Sequence, residues 1–141
     1  MGSYTIFDQL GVIKRVVDCP ESMAHLQPEA GESILEGKAN DVTQYVDTST
    51  LEIKDKPALP IQVNKYQIQA DEVDELIITG LPTTEPNGNT ISSFVTVAGN
   101  TYEVTDGEFV FTTDVPGIYT IMCEALNYLT ETITVEAVDE G

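Results

Sequence analysis

The chain has no tryptophan, one histidine, two cysteines and six basic residues, and each shortage closes off a class of function. A zinc site needs about four Cys, His or carboxylate ligands at close spacing. His25, Cys19 and Cys123 are too few and too scattered to supply it. A cysteine nucleophile needs a histidine or a positive neighbourhood to lower its pKa. The charges beside Cys123 are negative, so Cys123 reads as a core thiol, in keeping with how often free cysteines are buried. Two cysteines this far apart do not make a disulfide framework. One Cys19–Cys123 bridge stays open, although so disulfide-poor a chain fits a reducing compartment. Without tryptophan, the aromatic candidates for a sugar platform reduce to Tyr66, Phe94 and Tyr128. A carboxylate pair for glycoside hydrolysis would also need a cleft and sugar-stacking rings. No G-x-S-x-G elbow is present. There is no Gly-rich phosphate loop either, because Gly80, Gly88, Gly99, Gly107 and Gly117 each stand at an expected turn.

Long apolar runs are missing as well. No stretch approaches the ~20 residues that span a bilayer, so no membrane insertion is expected. The opening "MGSYTIFDQLG" has no basic start and no long apolar core, unlike a secretory signal. Ile6 occupies the place where a myristoylation pattern wants Ser or Thr. The expectation is a soluble, unexported chain.

What is abundant is acid. There are 24 Asp and Glu against six Lys and Arg, and every basic residue lies at or before Lys65. From Tyr66 onward there are 14 acidic residues and no basic one. Phosphate binding depends on Lys and Arg, so nucleic acid is excluded as a partner of this half. An anionic membrane surface is disfavoured for the same reason. The plain reading of the charge is solubility and mutual repulsion. A sharper one is docking to a basic partner or binding a cation. "DEVDE" (Asp71, Glu72, Val73, Asp74, Glu75) concentrates carboxylates, and Asp47 falls in a hairpin turn. Neither belongs to a D-x-[DN]-x-[DN]-G calcium loop, and both read as solvated turns. No catalytic, cofactor-binding or metal residue is assigned, and the chain is expected to be non-enzymatic and cofactor-free.

The clearest boundary is "KDKPALPIQ", where Pro57 and Pro60 favour a stiff, extended connection. It separates an N-terminal segment (1–56), a proline linker (57–60), a β-sandwich (61–138) and an acidic tail (139–141). The sandwich region is a succession of short alternating runs: "IQVNKYQIQA" (one strand or a broken pair), "LIITGLP", "TISSFVTVA", "TYEVT", "EFVFTTD", "IYTIMCEALNY" and "LTETITVEAV". Asn87-Gly88 marks a loop. Gly99-Asn100 and Asp106-Gly107 read as two-residue hairpin turns, and Asn127-Tyr128 as a turn into the last strand. Tyr119, Ile121, Cys123 and Ala125 share one face of a strand. Leu129, Ile133, Val135 and Ala137 share one face of the next, opposite Thr130, Thr132, Thr134 and Glu136. Ile78, Val95, Val97, Tyr102, Val104, Phe109 and Phe111 are further core candidates, while the face of Phe94 is not readable. The N-terminal segment reads as two hairpins ("YTIFD" with "VIKRVVDC", "TQYVD" with "LEIKDK"), a helical turn in "PESMAHLQP" and a short strand in "GESILEG". A segment of this size is marginal alone. The fold class is all-β: a hairpin-rich N-terminal segment followed by an immunoglobulin-like antiparallel β-sandwich.

The order "YVD" hairpin, proline-bracketed linker, then a domain with a G-x-Y strand resembles small virion-associated proteins of tailed bacteriophages. The matching residues are Tyr45, Val46, Asp47, Pro57, Pro60, Gly117, Tyr119 and Tyr128. Lys56-Pro57 stands where that pattern has Arg-Pro. The resemblance implies a non-enzymatic structural protein of the virion, made in the host cytoplasm. It implies an N-terminal segment docked on the tail, tail tip or fibre region and a projecting sandwich. The implied partners are other virion proteins in a homo-oligomer or multi-copy assembly. A capsid decoration (cement) protein and a carbohydrate-binding module for host-surface glycan are the alternatives.

Overall fold

Short alternating runs punctuated by Gly, Asn and Asp dictate strands and tight turns rather than helices, and the computed structural model describes residues 2–139 in those terms. They form two compact units. Unit 1 takes the residues up to Pro57 and, in addition, Pro86–Asn89; unit 2 takes Ala58–Glu85 and the described residues from Thr90.

In unit 1, β1 (Gly2–Asp8), β2 (Ile13–Cys19) and β3 (Glu32–Glu36) form an antiparallel sheet with β1 in the middle. A central strand is covered on both faces, and Tyr4, Thr5, Ile6 and Phe7 are accordingly buried in succession. A 3-10 helix (Glu21–Leu26) begins directly after Pro20. The guanidinium of Arg15 anchors the chain that follows it, donating to Gln27 O at 2.7 Å and to Glu32 Oε2 at 3.1 Å. A separate hairpin joins β4 (Gln44–Asp47) to β5 (Glu52–Asp55). The apolar core is small: Phe7, Ile13, Ala39 and Val46, with Val16, Leu35 and Ile53 packed against it. Polar contacts do much of the remaining work. Buried Thr5, for example, donates to Gly37 O at 2.9 Å and accepts from the Ala39 amide at 3.1 Å.

Unit 2 contains β6 (Gln62–Val63), β7 (Gln67–Gln69), β8 (Leu76–Thr79), β9 (Ser93–Val97), β10 (Asn100–Val104), β11 (Phe109–Phe111), β12 (Gly117–Ala125) and β13 (Glu131–Val138). They make two sheets, β10-β9-β12-β13-β7 and β11-β8-β6. Ile121, Cys123, Ile133, Val135 and Val95 of the larger sheet share one core with Leu76 and Ile78 of the smaller. This is an immunoglobulin-like sandwich, with two inner faces interleaved and polar residues outside. Tyr119 adds the corner typical of such domains: its hydroxyl donates to Val115 O, four residues back, at 2.7 Å, and lies 3.0 Å from Thr113 Oγ1.

Several expectations need correction. The first run of the sandwich is the broken pair of the two alternatives, but β7 crosses to the larger sheet, where it runs parallel to β13, so the sandwich is not wholly antiparallel. Asp106-Gly107 is not a hairpin turn: β10 pairs with β9 and β11 with β8, so the chain changes sheets there. The β9–β10 turn is Ala98-Gly99, one residue earlier than expected, with φ of 52° and 80°; two-residue hairpin turns of this kind need positive φ at both centres. Leu59 is buried in the sandwich core, so Ala58–Pro60 belong to unit 2 rather than to a free linker. Tyr102 shares a face with Val95 by register, but it lies on an edge strand. It is 45% exposed, with its ring tilted against Phe109. Leu129 is only half-buried and lies outside β13. Of the acidic tail, residues 140 and 141 lie outside the described residues.

Candidate functional site

Cys123 sits on β12 between Ile121 and Ala125, with none of its surface exposed. Burial pushes its thiol pKa up to about 11, with Glu131 on the paired strand adding to the rise. A thiol protonated this firmly is no nucleophile at neutral pH. Both cysteines are free. His25 is exposed on the 3-10 helix of unit 1, whereas Cys123 belongs to unit 2.

The acidic turns are occupied by their own chain. In "DEVDE", Asp71 Oδ1 accepts the amides of Val73 (2.9 Å) and Asp74 (2.8 Å). Asp74 accepts the Gln69 amide at 2.8 Å and pairs with the Lys65 ammonium. Both carboxyls are held below the ordinary range. The cause is the backbone amides for Asp71, and Lys65 first and then the Gln69 amide for Asp74. Asp47 closes the β4–β5 hairpin in the same manner. Its Oδ1 accepts Ser49 Oγ at 2.6 Å and the amides of Ser49 and Thr50, and its Oδ2 accepts Lys54 Nζ at 2.6 Å. Those contacts, Lys54 foremost, hold its pKa far below the usual value. Carboxylates whose oxygens already accept amides and ammonium groups are structural caps. Among the described residues, no group of three or more His, Cys, Asp or Glu is placed to hold a metal ion.

The three aromatic candidates are not brought together. Phe94 points outward from β9, 42% exposed, with Glu103 and Glu124 opposite it on the flanking strands. Tyr66 precedes β7 at the far edge of the same sheet, its carbonyl accepting the Glu136 amide at 3.0 Å. Glu136 is level with Ile118 on β12, whereas Phe94 is level with Glu124. At strand rise and spacing, that separates the two rings by on the order of 20 Å. Tyr128 packs on the core, with its hydroxyl turned to Thr84 O. Sugar platforms stack one ring against one or two coplanar aromatics, and no two of these meet.

One well-partnered polar side chain, Asn87, went unread in the sequence. The turn signal Asn87-Gly88 belongs to unit 1, where Asn87 uses every hydrogen-bonding group of its amide. Its Oδ1 accepts the Thr48 amide at 3.0 Å, and its Nδ2 donates to Val46 O at 3.0 Å and Leu10 O at 3.1 Å. Val46 O and Thr48 N lie on one edge of β4, so the side-chain amide pairs there as a strand's peptide group would. Gly11 faces the same spot with φ 81°; a Cβ on it would stand 2.2 Å from Val46 O and 2.6 Å from Asn87 Nδ2. Two contacts within unit 2 close the base of this excursion. The Asn127 side chain, on a residue at φ 61°, donates to the buried Glu85 carboxylate at 2.9 Å, and the backbones of Thr84 and Thr90 form an antiparallel bridge. The sequence carries a signal for a turn at Asn87, but nothing local to it says which distant carbonyls the amide will meet.

Comparison with known proteins adds little. No protein-family model and no curated protein matches the chain. Among solved structures it is similar to a glycosyl hydrolase family 2 member from Bacteroides cellulosilyticus, at 8% identity and a TM-score of 0.39 over 97% of this chain and 22% of that one. It is also similar to a beta-glycosidase from Bacteroides vulgatus, at 12% identity and a TM-score of 0.38 over 96% of this chain and 21% of that one. The chain thus spans about a fifth of the length of either. Similarity at this level carries no inference about chemistry. Among the described residues, no helix is long and apolar enough to cross a membrane.

Proposed function

We propose that the chain is a non-enzymatic structural protein of a tailed-bacteriophage virion. Unit 1 docks on the tail, tail tip or fibre region, and the acidic sandwich is the projecting part. The observation that carries this reading is the size of the core clusters: four buried apolar residues in unit 1 against 14 in the sandwich, so unit 1 has the more to gain from a partner. Both units leave large apolar side chains exposed, and in unit 1 Met23, Leu26, Val42 and Leu51 are those a partner surface would cover. The resemblance through Tyr45, Val46, Asp47, Pro57, Pro60, Gly117, Tyr119 and Tyr128 supports the same reading. Free cysteines suit assembly in the reducing host cytoplasm, and an acidic module repeated on a particle repels its neighbours. Partners are other virion proteins in a multi-copy assembly. The scattered Tyr66, Phe94 and Tyr128 do not favour the glycan-binding alternative.

The test is quantitative. Density-purified particles of the phage encoding the chain should contain it at a few to a dozen copies, measured against the major capsid protein. Hundreds of copies would reassign it to capsid decoration. Absence from infectious particles would contradict both.

A further inference from the structure

The geometry points to Asn87 as a deamidation site gated by the folding of unit 1, at which loss of the side-chain amide unseats the loop that completes that unit. Asn87-Gly88 is the one Asn-Gly pair in the chain. Asn-Gly is chemically the most exposed of asparagine contexts, because glycine has no side chain to shield its own nitrogen. Gly88 is exposed, at φ 90°, and nothing stands within 4 Å of the place a Cβ would take. In the reaction, the Gly88 backbone nitrogen gives its proton to a buffer base and bonds to Asn87 Cγ. The Cγ–Nδ2 bond breaks as the nitrogen takes a proton back from the buffer acid, and ammonia leaves, producing a succinimide. Water then opens the ring at either carbonyl, giving aspartate or isoaspartate. No electrons change hands, and the only co-reactant is water.

What opposes the reaction is the seat. Attack on Asn87 Cγ needs a side chain free to move into line with the Gly88 nitrogen, yet its amide is fixed by Thr48 N, Val46 O and Leu10 O. The reaction therefore waits for these three bonds to open. Once it has happened, it does not reverse. A carboxylate has acceptors only, so the position that donated to two carbonyls now repels both. Isoaspartate also lengthens the main chain by one methylene. An episode of opening in unit 1 is thereby recorded as a permanent weakening of that unit.

The test compares three samples in one mildly alkaline buffer, by peptide-mapping mass spectrometry. They are the native full chain, the full chain in denaturing urea, and a free peptide of residues 82–93. Deamidation at Asn87 in the native chain should be slower than in the peptide by about tenfold or more, since it proceeds only through local opening. In urea it should match the peptide. Equal rates in the native chain and the peptide would overturn the gating, and slow reaction in all three would overturn the site. The Asn87→Asp variant, studied as the full chain by hydrogen exchange, should lose protection in residues 2–57. Unchanged protection there would overturn the claim that the product unseats the loop.

Discussion

Unit 2 has a large apolar core, whereas unit 1 has a small one and leans on hydrogen bonds at its turns. The sandwich pools 14 buried apolar residues into one core, with Ser93, Glu85 and Asn127 as its buried polar residues. Unit 1 has four residues in its core cluster and relies on Asp8, Asp47, Thr5, Arg15 and Asn87 to fix its turns and crossings. Burial is non-directional and tolerates small errors, whereas each of these polar contacts needs one partner in one place. The core of unit 2 therefore lies within one nearly continuous stretch of chain. Unit 1 is completed only by Pro86–Asn89, which the sequence supplies between β8 and β9.

The sharpest way to break this comparison is to cut the chain. Residues 58–141 should fold alone, with a β-type circular dichroism spectrum and a cooperative melt. Residues 1–57, deprived of Asn87, should not. A folded, monomeric 1–57 fragment would sink the distinction. Starting the longer fragment at residue 61 discards Leu59 and should lower its stability by about 2 kcal/mol in urea titrations.

Within unit 2, Tyr119→Phe removes the corner hydroxyl from Val115 O and Thr113 and should cost about 2 kcal/mol. No loss would show that the corner is dispensable. Cys123→Ala should cost about 1–2 kcal/mol as a small cavity in the core. It should also change the alkaline response. The folded thiol is raised to about 11. Its contribution is full below the unfolded value of ~8.5 and lost as pH rises towards the folded one. The melting temperature of the variant should fall less steeply than that of the wild type over that range.

In unit 1 the sign is reversed. Asp47 and Glu32 are held below their ordinary range, chiefly by Lys54 and Arg15 respectively. What they contribute is fully present above about pH 4 and is lost as pH falls through their folded values. The difference between wild type and Asp47→Ala should therefore shrink on acidification. A difference that stays constant would mean that the Asp47 charge is irrelevant to the hairpin. This is the smallest effect, because all these groups are at the surface.

The sandwich was largely legible because its signals are local. Ile133, Val135 and Ala137 alternate with Thr132, Thr134 and Glu136 along one strand, and period two dictates one buried face. Tyr119 and Cys123 fell on the expected face for the same reason. The turns were less legible. Ala98 adopts positive φ although glycine-poor turns rarely do, and Asp106-Gly107 carries a hairpin signal at a place where pairing with β8 draws the chain into the other sheet. Leu59 looked like linker because two prolines flank it, yet its burial is decided by strands far along the chain. Asn87 was the least legible of all. Its neighbours say only "turn", and its partners lie 39 to 77 residues away. Asp47 and Asp74 read as turn residues in the sequence, and in the fold their oxygens accept backbone amides and a lysine ammonium.

The most direct test of the division of labour is native-state hydrogen exchange on the full chain, comparing wild type with Asn87→Ala. Protection should fall in β1, β2 and β4 while β12 and β13 exchange as before. Equal loss in both units, or none in unit 1, would contradict the account.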